Sequence, residues 1–328
     1  MARGEAARVY YAGPDEVLPP QVNYLWRAQL SSLPDLQPVG KEELERCDAV
    51  LAVLPTRRGS PRLAADLAWA ASCRRPIVGV KLGAESPDPY LWLRWLSALS
   101  DSLGEGVELL YEVLGLRAPA ELKVQLAPPV QRRWVGFCGL AGAGKDTAAA
   151  VLVRRGWVPL AFADALREVY AQLYPYRLVL ADELREAGVK DAVAFPNGLT
   201  HRQGLQRLGT EVGRQLDEGV WVAHLQRRAE ECVRLGAHSF CVTDVRFENE
   251  ARFIQEQGGL VICVRRPGLR ALAHASERPE GLPVDAVIEN DGTVLDLERQ
   301  VQEVVERRYG ALTRLNMRTA APVPPVKL

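Results

Sequence analysis

Residues 134–150, WVGFCGLAGAGKDTAAA, constrain the fold of this chain more than any other stretch. An apolar run with strand character (134–138) leads into a glycine loop, Gly139-Leu-Ala-Gly-Ala-Gly-Lys145, and then into an Ala-rich helical segment. Gly139, Gly142 and Gly144 give the backbone the freedom to turn its N–H groups inward around a polyphosphate, and the N-terminus of the following helix adds positive potential. Lys145 is spaced to reach the outer phosphate oxygens. One position departs from the general pattern: Asp146 follows the lysine, and the hydroxyl comes one place later at Thr147. A tight strand–turn–helix corner would also use glycines. Strand before, helix after and lysine in register favour a nucleoside triphosphate site.

Such a loop usually opens its domain, yet here it starts near residue 134 of 328, so a separate domain is expected before it. Residues 117–132 carry three prolines and little helical periodicity, which marks a linker. The expected organisation is a first domain over 1–116, a linker over 117–132, a second domain over 133–310 and a tail over 311–328. The first domain alternates short strands and helices. Strands are expected over 8–12, 48–54 and 76–80 and an amphipathic helix over 63–73, a small flavodoxin-like or Rossmann-like α/β domain. The second domain alternates likewise. Strands are expected over 158–162, 239–243, 260–264 and 286–289. Helices are expected over 164–173, 201–216, 219–236 and 247–257 and from Val294, with an acidic irregular insert at 180–198. This predicts a three-layer α/β fold with a parallel sheet.

Lys plus Arg and Asp plus Glu balance at 41 each, so no general attraction to polymeric nucleic acid or to a membrane surface is expected. The six cysteines (47, 73, 138, 232, 241, 263) form no C-x-x-C pair and read as reduced core residues. No run of about 18 apolar residues occurs, and the first residues lack a signal-peptide pattern. A cytoplasmic location is expected, host cytoplasm for a viral chain.

Several constellations sit at the expected strand ends. Asp244 and Arg246 follow the strand over 239–243, where the carboxylate can hold a metal-bound water or a substrate hydroxyl and the guanidinium can clamp a phosphate; a surface ion pair is the plainer reading. Glu250 lies one helical turn beyond Arg246 and either orients it or is a solvated charge. Asp164 ends the 158–162 strand and suits an acceptor contact, a helix N-cap, or both. Arg202 precedes a Leu-Gly-Thr sequence whose Gly209 and Thr210 are odd in a helix, pointing either to a close ligand approach or to a kink. Trp221 suits base stacking or a core position. Arg265, Arg266, Pro267 and Gly268, running on to His274, Ser276 and Glu277, read as a basic lid or as a solvated loop.

The order of these motifs, Gly-Leu-x-Gly-x-Gly-Lys-Asp-Thr, Phe-Ala-Asp, Gln-x-Leu-Gly-Thr-Glu, Trp, Asp-x-Arg, Arg-Pro-Gly, His-x-Ser-Glu and Asn290-Asp-Gly-Thr, resembles the phage-type deoxynucleoside monophosphate kinases over residues 133–308. Members of that family carry Lys-Asp in the loop, which accommodates Asp146. The resemblance implies a P-loop kinase fold, with ATP held by Gly139, Ala141, Gly142, Ala143, Gly144, Lys145, Asp146 and Thr147 and with Asn290 near the adenine. It implies a deoxynucleotide site made by Asp164, Arg202, Gly209, Thr210, Trp221, Asp244, Arg246, Glu250 and Ser276. The 5′-phosphate of the acceptor would attack the γ-phosphoryl group in line. Catalysis would come from positioning and from neutralisation by Lys145, Arg246, Arg266 and Mg²⁺, with Asp244 beside them and Asp146 or Thr147 nearest the metal. Other P-loop kinases, of the phosphomevalonate or dephospho-coenzyme A type, share the fold. A nucleotide sensor without turnover is the alternative of a different class. A homodimer is compatible with all of these.

In the first domain, Tyr11-Ala-Gly-Pro14, the 48–55 strand and the 65–79 stretch resemble the nucleoside 2-deoxyribosyltransferases over residues 8–81. The resemblance makes Gly13, Asp48 and Asp66 candidate site residues. Asp66 stands where that family has a nucleophilic glutamate, one methylene shorter, and Arg57-Arg-Gly-Ser60 replaces an Asp-x-Gly-Thr loop. The expectation is a nucleoside- or nucleotide-binding domain, with activity left open. Arg57 and Arg58 suit a phosphorylated ligand.

Overall fold

The computed structural model describes residues 6–13, 18–54, 60–82, 95–120, 122, 131–174, 179–181, 183–269 and 281–312. The chain divides into two compact units. The first takes in Met1–Val130 with Glu230–Ala237 and Asn316–Leu328, and the second Gln131–Ala229 with His238–Leu315. Each carries one five-stranded sheet in which every pairing is parallel, a mixed α/β architecture.

In the first unit the strands β1 (Ala7–Ala12), β2 (Leu36–Val39), β3 (Ala49–Leu54), β4 (Ile77–Lys81) and β5 (Ala98–Ser100) lie in the order β2-β1-β3-β4-β5. That is the flavodoxin-like order, which places a ligand crevice at the carboxyl ends of β1 and β3. The central strand β3, AVLAVL, is buried at all six residues, as a parallel strand covered on both faces requires. The helix Pro61–Ser72 starts after Ser60, whose Oγ accepts the Leu63 N–H at 3.0 Å, and has proline in its first turn. Asp48 corrects an expectation. Its carboxylate accepts the Arg8 N–H at 2.7 Å and its own N–H donates to the Arg8 carbonyl, so it locks the amino ends of β1 and β3 together. It therefore lies at the opposite edge of the sheet from the ligand crevice.

In the second unit β6 (Arg133–Cys138), β7 (Val158–Leu160), β8 (Ser239–Val242), β9 (Leu260–Arg265) and β10 (Ala286–Glu289) lie in the order β10-β9-β6-β8-β7. The strand that leads into the glycine loop is thus central. Phe137, Trp157, Ile262, Val264, Leu297 and Val301 pack in one buried cluster, so the loop strand, the helix after the loop and the last helix share a core. The last helix, Val294–Tyr309, begins in a capping box in which Thr293 and Asp296 satisfy each other's backbone N–H.

The helix expected over 201–216 is interrupted. α-Helix runs over His201–Gln206, a π-helical stretch covers Arg207–Gly213, and one α-turn follows at Arg214–Leu216. Gly209 explains the break. A Cβ there would lie 2.7 Å from Leu166 Cδ2, and its carbonyl accepts the Trp221 indole N–H at 2.9 Å, a bond the widened turn leaves room for. Cys47, Cys138, Cys232, Cys241 and Cys263 are buried and Cys73 is partly exposed, all as free thiols. Among the described residues no helix is long and apolar enough to cross a membrane.

Candidate functional site

The glycine loop joins β6 to the helix Lys145–Val153. Gly139 has φ +136°, and a Cβ on it would fall 2.2 Å from the Val264 carbonyl oxygen, so only glycine fits. Gly144, at φ +101°, heads the helix. The Lys145 ammonium donates to the carbonyls of Gly139 (2.9 Å) and Leu140 (2.8 Å), curled back over its own loop. Ala141, Gly142, Asp146 and Thr147 face solvent, while Ala143 is buried in the core. Asn290 contacts the loop itself: its amide donates to the Ala143 carbonyl at 2.8 Å and its backbone N–H to Arg265 at 2.7 Å. Its side chain, just past β10, braces the loop.

A cavity opens beyond the ends of β7 and β8. Phe162, Ala163, Leu166, Leu205, Trp221 and Phe247 supply apolar wall; Arg167, Lys190, Arg202, Arg214 and Arg246 supply cations; Asp244 and Glu250 supply acids, with Gln206, Gly209 and Thr210 between them. Cations outnumber acids, and both acids are engaged. The Asp244 oxygens accept the N–H groups of Phe162 (2.8 Å) and Ala163 (3.0 Å), capping the helix Ala163–Leu173 from a distant strand end. Glu250, 3% exposed, accepts the backbone N–H groups of Arg246 (2.8 Å) and Phe247 (3.1 Å) through one oxygen and the Arg214 guanidinium through the other. It thus fixes the Arg246 backbone, where the sequence spacing suggested contact with the side chain. Burial, reinforced by Asp244, pushes the Glu250 carboxyl up to about 7 against the pull of Arg214 and the two N–H groups. Arg214 also lies over the Phe247 ring, 3.7 Å from its centroid, and donates to Asn249 at 3.1 Å.

Other expected site residues are placed differently. Asp164 is not the helix cap, a position held by Phe162, and its carboxylate does not border the cavity: it binds Arg167 and Arg185 at 2.5 Å each and the Ala161 N–H at 3.1 Å. Arg202 borders the cavity, but its fork is taken by Asp191, Nε at 2.6 Å and Nη2 at 3.2 Å, which pulls the Asp191 carboxyl below its ordinary range. Trp221 is both core and cavity wall, 8% exposed, with its ring 6.1 Å from that of His224. Gly209 and Thr210 border the cavity. Arg266 is exposed just past β9. Ser276, His274 and Glu277 lie outside the described residues, as do Pro14, Arg57 and Arg58. Arg167, Lys190, Arg214 and Phe247 were not singled out from sequence. Arg167 carried a local signal, its i,i+3 spacing from Asp164, whereas the Arg214 partner Glu250 is 36 residues away.

In the first unit Asp66 is buried on the helix Pro61–Ser72. The Tyr10 hydroxyl donates to one carboxylate oxygen at 2.8 Å, and the Lys41 ammonium lies 2.5 Å from the other. Gly13 follows the end of β1.

The second unit therefore presents a glycine loop with an inward lysine and a cation-rich, aromatic-walled cavity at the same end of its sheet. Residues 182–301, which include most of that wall, match the model of the family described as deoxynucleotide monophosphate kinase. A candidate deoxynucleotide monophosphate kinase of Acanthamoeba polyphaga mimivirus is 30% identical over 192 aligned residues, which take in 52% of this chain and 95% of that relative. The chain belongs to the deoxynucleotide monophosphate kinase family. It is accordingly a nucleotide kinase, a phosphotransferase. A solved structure, TT1252 from Thermus thermophilus, aligns over 54% of this chain and 98% of its own at 22% identity with a TM-score of 0.33, a likeness too slight to bear a conclusion.

Proposed function

We propose that the second unit transfers the γ-phosphoryl group of ATP to the 5′-phosphate of a deoxynucleoside monophosphate. The observation that carries this reading is the cavity, where cations suited to a phosphate stand beside Trp221 and Phe247, flat apolar surfaces suited to a base. In the reaction an acceptor phosphate oxygen bonds to the γ-phosphorus as the bond to the β-bridging oxygen breaks, and ADP leaves. The acceptor dianion is already nucleophilic, so no protein base is needed. Lys145 exchanges the carbonyls of Gly139 and Leu140 for phosphate oxygens, and the loop N–H groups hold the donor. Arg246, its backbone fixed by Glu250, neutralises charge between donor and acceptor. Asp244 holds the start of the helix Ala163–Leu173 in place as a wall of the acceptor cavity. Asp146 and Thr147, solvent-facing oxygen donors beside Lys145, fit a Mg²⁺ ion that retains most of its water; when bound, the ion supplies further neutralisation of phosphate charge.

The test is ADP release from ATP–Mg²⁺ with each common deoxynucleoside monophosphate, each ribonucleoside monophosphate, phosphomevalonate and dephospho-coenzyme A as separate acceptors. Turnover with at least one deoxynucleotide is expected. Turnover confined to a non-nucleotide acceptor overturns the reading.

For the first unit the same reading assigns ligand binding without glycosyl transfer. Both Asp66 oxygens are engaged, and a lysine-paired carboxylate is a weak nucleophile toward an anomeric carbon. Incubating the full chain with 2′-deoxynucleosides and a second free base should yield no exchanged product; base exchange would overturn it.

A further inference from the structure

Lys190 ends the short helix Ala187–Lys190, within the insert that the sequence marked only as acidic and irregular. Its side chain borders the cavity together with Arg167, Arg202 and Arg246. Two of those neighbours already have acids: Arg167 is paired with Asp164 and Arg202 with Asp191. Among the described residues no carboxylate comes within ion-pair distance of the Lys190 ammonium. Burial, then the charges of Arg202, Arg167 and Arg246, lower its pKa, while Asp146 in the glycine loop acts in the opposite sense. The ammonium is thus within electrostatic reach of both the acceptor cavity and the donor loop. A half-buried cation crowded by three guanidinium groups is unfavourable by itself, and a polyanion lying between loop and cavity would relieve that repulsion.

We infer that Lys190 is a phosphate-binding residue of the transfer site, contacting the 5′-phosphate of the acceptor nucleotide where it faces the donor loop. The inference rests on the reading of the second unit as a deoxynucleoside monophosphate kinase. Lys190 contributes charge and hydrogen bonds to phosphate oxygens and takes no proton from the acceptor. It recognises the phosphate, so it should leave base choice untouched.

The experiment compares full-length wild type, Lys190→Gln and Lys190→Arg in two measurements. One is kcat/KM with the best deoxynucleotide acceptor. The other is calorimetric affinity for that nucleotide and for the matching deoxynucleoside, which lacks the phosphate. A charged hydrogen bond to phosphate predicts a fall of about 10- to 100-fold in kcat/KM and nucleotide affinity for Lys190→Gln. Deoxynucleoside affinity should be unchanged, and Lys190→Arg should recover most of the loss. Equal loss for nucleotide and nucleoside would show that Lys190 supports the cavity wall and would overturn the inference, as would an unaltered Lys190→Gln enzyme. A wild type that turns over no deoxynucleotide overturns the underlying reading instead, so the two failures are distinct. Matching thermal melts of the variants confirm that folding is intact.

Discussion

The two units build the same kind of platform, a five-stranded parallel sheet, and put opposite chemistry on it. In the first, the buried acid Asp66 is matched by Lys41 and a tyrosine hydroxyl. In the second, five cations line one cavity and its two acids are spent largely on backbone N–H groups. The buried acid of the first unit is thus matched by a cation, whereas around the cavity of the second unit cations outnumber acids even though Arg167, Arg202 and Arg214 are themselves paired. A parallel sheet dictates where a site lies; the residues at its strand ends dictate what the site does.

The contrast can be broken most sharply at Lys145. Lys145→Met should lower turnover by about 10²- to 10³-fold, the scale of losing one charge-stabilising donor, while the melting curve stays in place. Retained turnover in a steady-state assay would remove the loop from the chemistry. The next largest effect is structural. Gly139→Ala forces a left-handed φ on alanine and drives a methyl into the Val264 carbonyl, so denaturant titration should show the second unit destabilised by about 3 kcal/mol or more.

Glu250→Gln sharpens the comparison through pH. With its carboxyl raised from 4.5 to about 7, the folded chain holds a proton between those values that the unfolded chain has released. The Glu250 contribution is therefore fully present below about pH 4.5 and declines as pH rises through about 7. The stability advantage of wild type over Glu250→Gln should shrink by about 3 kcal/mol between pH 4 and pH 8 in urea titrations; a constant or growing advantage contradicts the assignment. The smallest effect belongs to the first unit. Lys41 is more than half exposed, so Lys41→Ala should cost about 1 kcal/mol or less in the same titration and leave kinase turnover unchanged.

Much of the platform was legible because its signals are local. The β3 run AVLAVL is apolar at every residue, as a doubly covered strand must be, and β10 and the helix from Val294 begin where periodicity put them. Gly139 and Gly144 announced the loop because no other residue tolerates their backbone angles. The helices Pro20–Ser31 and Leu103–Val113 and the short strands β2 and β5 were not individually legible; β2 and β5 have only four and three residues, too few to show a period. The kink flagged at Leu208-Gly-Thr takes the form of a π-helical stretch, a form not legible in sequence because Leu166, which packs against Gly209, lies far away in the chain.

The sequence alone determined the glycine loop, the α/β class and the strand ends at which charged residues gather. All three depend on residues close together in the chain, whose backbone preferences and periodicity act locally. Tertiary structure decided which charges are already satisfied. It tied Asp164 to Arg167 and Arg185, Asp244 to a helix start, Glu250 to Arg214 and Asp48 to the amino ends of its sheet, and it brought Lys190 to the cavity with no ion pair to a carboxylate among the described residues, although Asp191 acts on it electrostatically. An ionic side chain takes its partner by distance in space, and only the folded chain sets that distance.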